Sequence, residues 1–241
     1  PASMEKSRIY GVEIDDISGR IAQQLYQKSS ISIDGFENVS LPDSFFDIAV
    51  GNVPFGDFKV ADRRYDKHNF LIHDYFFAKA LDKVRPGGII VFITSKGTLD
   101  KENIQVRKYI AQRAELVGAI RLPDDTFKKN AGTEVTADII ILQKRDSNID
   151  VMPEWIYLGK DDNGIIINQY FIDNPEMILG SMQIVSGRFG PESTCKADNE
   201  VPFEVQLENA TGLLHTQITE RAVAEPEMAD EEYIIADPNV R

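Results

Sequence analysis

The chain has 241 residues, of which 42% are hydrophobic, and a formal net charge of -13. This length allows one large or two small domains with a real core. No run approaches the roughly 18 apolar residues that cross a membrane, and no apolar N-terminal core marks a signal peptide. The single cysteine, Cys195, allows no internal disulfide. We therefore expect a cytoplasmic protein with no membrane partner, and three scattered histidines predict no metal site.

The acidity lies entirely in the C-terminal part. Residues 1–146 carry 21 Lys and Arg against 21 Asp and Glu, whereas residues 147–241 carry 5 against 18. A neutral first part with basic pairs such as Arg63-Arg64 and Lys128-Lys129 is compatible with contact to nucleic acid. For each pair, solvated loop charges are the simpler interpretation.

Apolar and amphipathic segments alternate up to residue 145. The patterns predict strands at residues 8–15, 31–36, 45–50, 89–93, 116–120 and 135–142, and helices at residues 17–27, 71–84 and 103–114. The run Arg85-Pro86-Gly87-Gly88 is a predicted break between a helix and an apolar strand of the kind buried in a parallel sheet. This alternation predicts a doubly wound α/β sheet.

The pattern changes after Arg145. Residues 155–158 and 164–167 are predicted to be two short strands around a turn at Asp161-Asp162-Asn163-Gly164. Residues 180–191 and 210–212 predict irregular structure. The acidic stretch 225–232 is predicted to be solvated or ordered only by a partner.

The most informative segment is Asp47-Ile48-Ala49-Val50-Gly51-Asn52-Val53-Pro54-Phe55. It is an apolar strand that ends in a loop, and ligands of open α/β sheets lie beyond the carboxyl ends of strands. Asn52 Oδ1 and a nearby backbone carbonyl can accept both hydrogens of a planar NH2 group, while the Phe55 ring stacks on its face. Two acceptors leave the nitrogen lone pair free to attack. A plain turn after a strand is the alternative interpretation of Asn52 and Pro54.

This loop resembles motif IV of the amino-methyltransferases, usually Asp/Asn/Ser-Pro-Pro-Tyr/Phe. That family methylates the exocyclic nitrogen of adenine, cytosine or a glutamine amide. The resemblance implies that Asn52, Val53, Pro54 and Phe55 form the catalytic loop. Val53 stands where the family has its first proline, so one ring that fixes φ is missing.

Two earlier segments extend the resemblance to class I S-adenosylmethionine-dependent methyltransferases. Tyr10-Gly11-Val12-Glu13-Ile14-Asp15 is similar to motif II, which implies that Glu13, with Ile14 beside it, binds the cofactor ribose; a carboxylate suits this task because it offers only acceptors to a vicinal diol. Asp34-Gly35-Phe36-Glu37 resembles motif III, which lies against the cofactor adenine. The roles of Asp34, Phe36 and Glu37 stay open, with Phe36 preferred on the ring and Glu37 or Asp34 at its edge.

Later segments add weaker similarity. His73-Asp74-Tyr75-Phe76-Phe77-Ala78-Lys79-Ala80-Leu81 looks like the helix after motif IV; we interpret its aromatic stripe as core packing and His73 as structural. Residues 131–135 resemble the motif VIII region, which can help hold the target base. Transfer to an amine needs no covalent intermediate, so no nucleophilic cysteine is expected, and Cys195 lies outside the predicted catalytic core.

The resemblance covers residues 8–145 and is strongest to N6-adenine DNA methylases, in particular the methylase portion of large methylase-helicase proteins on bacterial mobile elements. It implies a Rossmann-like methyltransferase sheet, S-adenosylmethionine as cofactor, DNA as substrate of the full-length protein, and a helicase region in the same parent chain. On this basis residues 1–146 form the methyltransferase catalytic core, and residues 147–241 form an acidic extension of unknown role.

One departure from the family concerns motif I, a glycine-rich loop that should lie well upstream of Gly11. Residues 1–8 are too few to supply its strand and loop at ~3.3 Å per residue. We expect a sheet that lacks its first strand, with a gap or an open edge. Altered strand pairing, oligomerisation through that gap or weak order there is the predicted result, together with poor cofactor binding by this chain.

Two other functions remain open. A glutamine-directed protein methyltransferase uses a similar loop on another planar amide. A noncatalytic methyltransferase-like module that docks DNA or a helicase partner is favoured by Val53 and by the absent glycine loop. The sequence predicts neither the recognition site nor the role of residues 147–241.

Overall fold

The structure is a computed structural model that describes residues 7–187, 190–198 and 200–216, without the side chains of residues 130 and 131. The strands are β1 (Tyr10–Glu13), β2 (Ser30–Ile33), β3 (Phe46–Asn52), β4 (Val84–Ser95), β5 (Ala114–Leu122), β6 (Ala137–Lys144), β7 (Leu158–Lys160), β8 (Ile166–Asn168), β9 (Ser181–Gly187) and β10 (Gly190–Lys196). The α-helices are α1 (Asp16–Leu25), α2 (Ile72–Lys83), α3 (Gly97–Asp100), α4 (Gln105–Ala111), α5 (Lys128–Ala131), α6 (Gln169–Asp173) and α7 (Phe203–Gly212). None of the helices in the described ranges has the length and apolar character that a membrane span requires.

Four strands form the main sheet, in the order β3-β4-β6-β5. β3 and β4 are parallel, whereas β6 runs antiparallel to both of its neighbours, so the sheet is mixed. Asn52 at the end of β3 pairs with Ile93 of β4, and Ile93 pairs with Ile139 of β6. Asn52 therefore lies at the edge where the parallel strands end, as the sequence predicted.

The break predicted at residues 85–88 ends α2 but does not form a loop. Instead β4 begins at Val84 and includes the break, with a shift of register against β3 between Phe46 and Ile48. Gly87 has a φ of 71°, and a Cβ added at Gly88 would lie 2.8 Å from the backbone oxygen of Asp47. Glycine is thus required because β4 approaches β3 too closely there for a side chain.

The other two parallel strands form a separate small sheet. β1 pairs with β2, and α1 connects them. Within the described residues no strand lies between β1 and β3, and the small sheet meets the start of β3 through aromatic rings. The Tyr10 ring lies 5.3 Å from that of Phe46 and 5.9 Å from that of Phe45, both edge-on. The described sheet is therefore divided in two, with β1 and β3 on either side of the division.

Helix α1 is amphipathic as predicted, but its apolar stripe faces outward. Ile17, Ile21 and Leu25 are 69%, 54% and 70% exposed, and Gly19 is the buried residue of the helix. A Cβ on Gly19 would come within 2.7 Å of Ile33, so α1 packs closely on β2 through that glycine. The apolar stripe finds no covering element among the described residues.

The C-terminal part is more ordered than the sequence predicted. Residues 180–191, expected to be irregular, contribute to the β9–β10 hairpin, and residues 210–212 end helix α7. Residues 155–158 are mostly a 3-10 turn before β7 rather than a strand, whereas the β7–β8 hairpin around Asp161 is confirmed. Acidic residues 225–232 lie outside the described ranges.

Residues on both sides of position 146 share one hydrophobic core. Ile167, Phe171 and Leu179 pack in the same cluster as Ile90 and Leu142. Cys195, which follows the predicted catalytic core in the sequence, also belongs to this hydrophobic cluster and is fully buried. Burial raises the pKa of its thiol to about 12. The division at residue 146 stays a prediction based on charge.

A buried ion network lies where the main sheet meets the C-terminal part. The Arg121 guanidinium donates two hydrogen bonds to the Asp138 carboxylate, at 2.9 and 3.0 Å, and forms an ion pair with Asp100 at 2.9 Å. It also lies 4.2 Å from the ring centroid of Phe171. Burial alone disfavours the charged guanidinium, but the two carboxylates outweigh it and raise the pKa of Arg121. The side chains of Arg121 and Asp138 are fully enclosed, so this pair depends entirely on its partners.

Candidate active site

The Asn52–Phe55 loop begins directly at the end of β3. Asn52 is exposed, and its side-chain amide makes no hydrogen bond with any described residue. Pro54 is also exposed, and Phe55 is 36% exposed. An unused amide and an accessible aromatic ring thus follow one another at the carboxyl edge of the sheet, where an incoming planar group can meet both.

Val53 explains how the loop is held without the first proline. Its side chain is 2% exposed and packs in the main core, so an apolar residue fills the position. Its backbone N–H donates to the Ile93 carbonyl at 3.0 Å, a bond that proline cannot make. The β3–β4 ladder therefore continues one residue beyond Asn52 and fixes the start of the loop.

His73 lies in the first turn of α2, the helix that follows this loop in the chain. It is 5% exposed, and its Nε2 lies 3.5 Å from Asp74 Oδ1 and 3.4 Å from Lys101 Nζ. Lys101 in turn donates to Asp74 Oδ2 at 2.5 Å. Burial, followed by the charge of Lys101, lowers the pKa of His73 despite the nearby carboxylates Asp74 and Asp57. A neutral, buried imidazole agrees with the structural role expected from the sequence.

Glu13 and Asp34 are neighbours at the ends of the two small-sheet strands. The Asp34 N–H donates to the Glu13 carbonyl at 3.0 Å. Glu13 Oε1 accepts the Asp15 N–H at 2.9 Å, and Ile14 beside it is 73% exposed. Asp34 Oδ1 accepts from Asn38 Nδ2 and from the Gly35 N–H, and these bonds, the Asn38 bond first, lower the Asp34 pKa. In each carboxylate the second oxygen has no described partner and can accept from a ligand.

Phe36 and Glu37 contact α2, the helix that follows the Asn52–Phe55 loop. The Phe36 ring lies 4.9 Å from that of Phe76, and the Lys79 ammonium lies 5.0 Å from its centroid. Lys79 Nζ also donates to the carbonyls of Phe36 and Glu37, at 2.6 and 3.1 Å, and to Asp62 Oδ2 at 3.3 Å. Part of the Phe36 ring is therefore engaged in packing, and its contact with a cofactor stays a prediction.

Lys79 is the site residue that sequence reasoning missed. It is 4% exposed, although Lys is rarely buried without partners. Burial disfavours its charge and lowers its pKa, while Asp62 opposes that shift. The sequence feature that could have indicated its burial is its position between apolar residues in a helix rich in aromatic residues. It joins the segment predicted to meet the cofactor adenine to α2, the helix that follows the Asn52–Phe55 loop.

The C-terminal hairpin covers part of the same sheet edge. Lys96, directly after β4, donates to Ser193 Oγ of β10 at 2.8 Å, and Thr194 Oγ1 donates to Asp124 Oδ2 at 2.8 Å. In the segment that resembles motif VIII, Glu134 pairs with Lys128, and Gly132 has a φ of 66°. Arg64 likewise pairs with Asp43 and Asp82. No group of three potential metal-ligand side chains occurs in the described part of the chain.

Three relatives show similarity to this chain. A defense against restriction protein B of Escherichia phage P1 is 36% identical over 143 residues, which are 57% of this chain and 6% of the phage protein. An rRNA N(6)-adenosine-methyltransferase of Caenorhabditis elegans, metl-5, is 29% identical over 154 residues, which are 59% of this chain and 68% of that protein. A structure from Listeria monocytogenes assigned to the class I S-adenosylmethionine-dependent methyltransferases superimposes with a TM-score of 0.49 and 20% identity, over 63% of this chain and 50% of the other.

A family model assigns most of the described chain. The N-6 DNA Methylase model matches residues 3–165 and so includes both small-sheet strands, the Asn52–Phe55 loop and all of the main sheet. The two parallel strand pairs, with β6 antiparallel within the main sheet, form a Rossmann-like methyltransferase fold. The chain belongs to the N-6 DNA methylase family.

Proposed function

We propose that this chain carries the catalytic loop of an enzyme that transfers a methyl group from S-adenosylmethionine to N6 of adenine in DNA. The observation that carries the proposal is the exposed, unused amide of Asn52, fixed at the carboxyl end of β3 by the Val53–Ile93 hydrogen bond. An amide at this place offers an acceptor to an exocyclic amine. Family membership supplies the reaction class.

In this proposal the target adenine leaves the duplex and enters the loop. Asn52 Oδ1 and the Val53 carbonyl accept the two N6 hydrogens, and Phe55 stacks on the base. These contacts orient the nitrogen lone pair for in-line attack. His73 stays neutral and buried in α2, and the proton that the methylated nitrogen releases passes to solvent.

The residues of the small sheet fit the ribose and adenine of the cofactor in part. The free carboxylate oxygens of Glu13 and Asp34 are suitable acceptors for ribose hydroxyls and the adenine amine, with Ile14, Phe36 and Glu37 around them. When bound, S-adenosylmethionine supplies the electrophilic methyl group. Because no strand lies between β1 and β3 in the described residues, we expect this chain to bind the cofactor weakly unless that space is filled.

The phage relative is far longer than the matched segment, so the action of the whole protein is also a proposal. We infer that DNA is reached through the full-length protein, in the cytoplasm, with a helicase region in the same parent chain. For this chain without the rest of the full-length protein, we predict self-association through the open edges of β1 and β3.

A second candidate substrate is adenine in ribosomal RNA, because one similar protein is an rRNA N(6)-adenosine-methyltransferase. The same acceptors at Asn52 and Val53 serve either nucleic acid, since both present the same N6 group. A 2′-hydroxyl contact is what would distinguish RNA from DNA.

The test is a methyl-transfer assay with labelled cofactor on DNA, ribosomal RNA and protein acceptors, using the full-length protein and its Asn52→Ala variant. We expect labelled N6-methyladenine in DNA and a loss of at least about 100-fold with Asn52→Ala, in the range for removal of one positioned group. Asn163→Ala, in the exposed β7–β8 turn, is the matched control and should stay active. Full activity of Asn52→Ala, or exclusive labelling of RNA or protein, would refute the assignment.

A further inference from the structure

A basic cavity of about 300 Å³ lies at the other end of the main sheet from Asn52. It is formed by the 3-10 turn Asp66–His68 and by the C-terminal ends of α2, α4 and β6. Lys144 ends β6, five residues after Ile139, which is about 16 Å at ~3.3 Å per residue. The titratable lining, tyrosines aside, is Arg64, Lys67, His68, Asp82, Arg113 and Lys144.

The charges in this cavity are not balanced. Arg64 pairs with Asp43 and Asp82 at 2.6 and 2.9 Å, and Lys83 pairs with Asp43 at 2.7 Å, so these two cations balance the two carboxylates. Lys67, Arg113 and Lys144 form no ion pair with described residues. Lys144 Nζ donates to the Val84 carbonyl at 2.7 Å and to a hydroxyl, and both acceptors are neutral. An excess of positive charge in a chain of net charge -13 is a local feature that composition does not explain.

Stabilising a helix end is a simpler role for a cation, but it accounts for only some of these residues. Arg113 NH1 donates to the Tyr109 carbonyl at 3.0 Å in the last turn of α4, where a cation is favoured. Its guanidinium lies 3.6 Å from the Tyr109 ring centroid. One of its five N–H groups is used in this way, and Lys67 makes no such bond.

The pKa of His68 responds to the positive charges around this cavity. Its ring stacks on Phe70 at 5.0 Å and contacts the Tyr109 ring at 5.0 Å. Burial first, and then the positive charges of Lys67 and Arg113, lower the pKa of His68. Lys67 lies on the same turn and Arg113 follows α4, so positive charge reaches His68 from two elements, while the carboxylates Asp82 and Asp43 act on Lys144 at the other side of the cavity.

We propose that this cavity binds a phosphate group through Lys67, Arg113 and Lys144. Phosphate offers several strong acceptors and a charge that matches three cations with unused N–H donors. The phosphate belongs either to a nucleic-acid backbone or to a free nucleotide, and both place the same group among the same donors. The proposal does not depend on methyl transfer, because none of these residues lies in the Asn52–Phe55 loop.

The test follows the His68 imidazole by NMR in the 241-residue chain, which has three histidines. The probes are inorganic phosphate, adenosine monophosphate and a short DNA duplex, each titrated separately. We expect the bound anion to raise the His68 pKa and move its signals. Lys67→Gln should weaken binding about tenfold, the value of one charge-assisted hydrogen bond. Lys28→Gln, an exposed lysine after α1, is the control.

The outcomes separate the two phosphate sources. A response to the duplex at concentrations where the mononucleotide has no effect assigns the cavity to nucleic-acid backbone, and a response to the mononucleotide or to inorganic phosphate assigns it to a free phosphate. No response to any of the three probes, or an equal response in Lys67→Gln, overturns the proposal. Lys67 has no described contact to lose, so its variant should fold and the result will be interpretable. Inactivity of Asn52→Ala would leave this test unaffected.

Discussion

The main sheet and the β1–α1–β2 unit are built from the same sequence pattern but differ in how that pattern is satisfied. In the main sheet, apolar residues such as Ile90 and Leu142 are fully buried. In the β1–α1–β2 unit, Ile17 and Leu25 occupy an equally regular apolar stripe and are mostly exposed. Periodicity thus shows which face requires a partner, whereas burial shows whether the described residues provide one.

The main-sheet strand that borders the division also exposes apolar side chains. Ile48 and Val50 of β3 are 41% and 72% exposed, on the strand that borders the division. The stability of the chain should therefore come from the main sheet and the C-terminal part, because apolar burial is the dominant favourable contribution. Four substitution experiments test this difference, from the largest expected effect to the smallest.

The largest effect is expected from breaking the buried ion pair. Asp138→Asn leaves the Arg121 charge enclosed without its bidentate partner and should cost about 3–5 kcal/mol of unfolding free energy. Asp16→Asn removes the carboxylate from the exposed Arg20–Asp16 pair of α1 and should cause no measurable loss. Urea unfolding of both variants measures the difference, and equal losses would contradict it.

Matched leucine truncations compare the two hydrophobic surfaces directly. Leu142→Ala creates a cavity in the main core and should cost about 2–5 kcal/mol. Leu25→Ala, at 70% exposure, should change stability by less than about 0.5 kcal/mol. The measurement is again chemical denaturation, and a large loss for Leu25→Ala would show that the stripe is covered in solution.

The third experiment uses the buried thiol of Cys195. Its folded-state pKa of about 12 lies above the ordinary value of 9.0, so between these values the unfolded chain binds fewer protons than the folded one. The free energy of unfolding is therefore unaffected well below pH 9 and falls as pH rises from 9 towards 12, by about 1.4 kcal/mol at pH 10. Cys195→Ala should therefore lose stability less steeply between pH 8 and 10. If the unfolding free energies of the unaltered chain and of Cys195→Ala fall in parallel as pH rises, the thiol is accessible to solvent.

The smallest effect is expected at the start of α1. Asp15 caps this helix by accepting the Ser18 N–H at 2.7 Å, and this bond is the main reason its pKa is lowered. Asp15→Ala should speed hydrogen exchange of the α1 amides and leave global unfolding unchanged, because α1 buries so little. If global stability falls as well, α1 is part of the cooperative core.

The sequence predicted the main-sheet strands and the Asn52–Phe55 loop because their signals are local. Apolar runs that end at Gly, Asn or Pro can be recognised from the local sequence, without knowledge of contacts far along the chain. The β9–β10 hairpin was missed because residues such as Ser181, Gln183 and Ser186 leave no regular apolar alternation. Its attachment depends on bonds to Lys96, Asp124 and other residues far away in the sequence.

The candidate site shows the same limit. Strand ends placed Glu13, Asp34 and Asn52 at carboxyl edges, as predicted. The contacts of Lys79 with residues more than 40 positions earlier leave no pattern in one sequence. The Arg121–Asp138 pair was also unpredicted, because a charged residue in a predicted strand is expected to be exposed unless its partner is known.

The Val53–Ile93 hydrogen bond also determines when the Asn52–Phe55 loop is ordered. A proline at this position would restrict the chain in every state, folded or unfolded, because the restraint is covalent. Valine restricts the loop only while β3 stays paired with β4, so the loop loses its restraint whenever that strand separates. β3 has no described neighbour on its other side, and the conformational entropy of the Asn52–Phe55 loop is therefore set by the stability of a single strand pair.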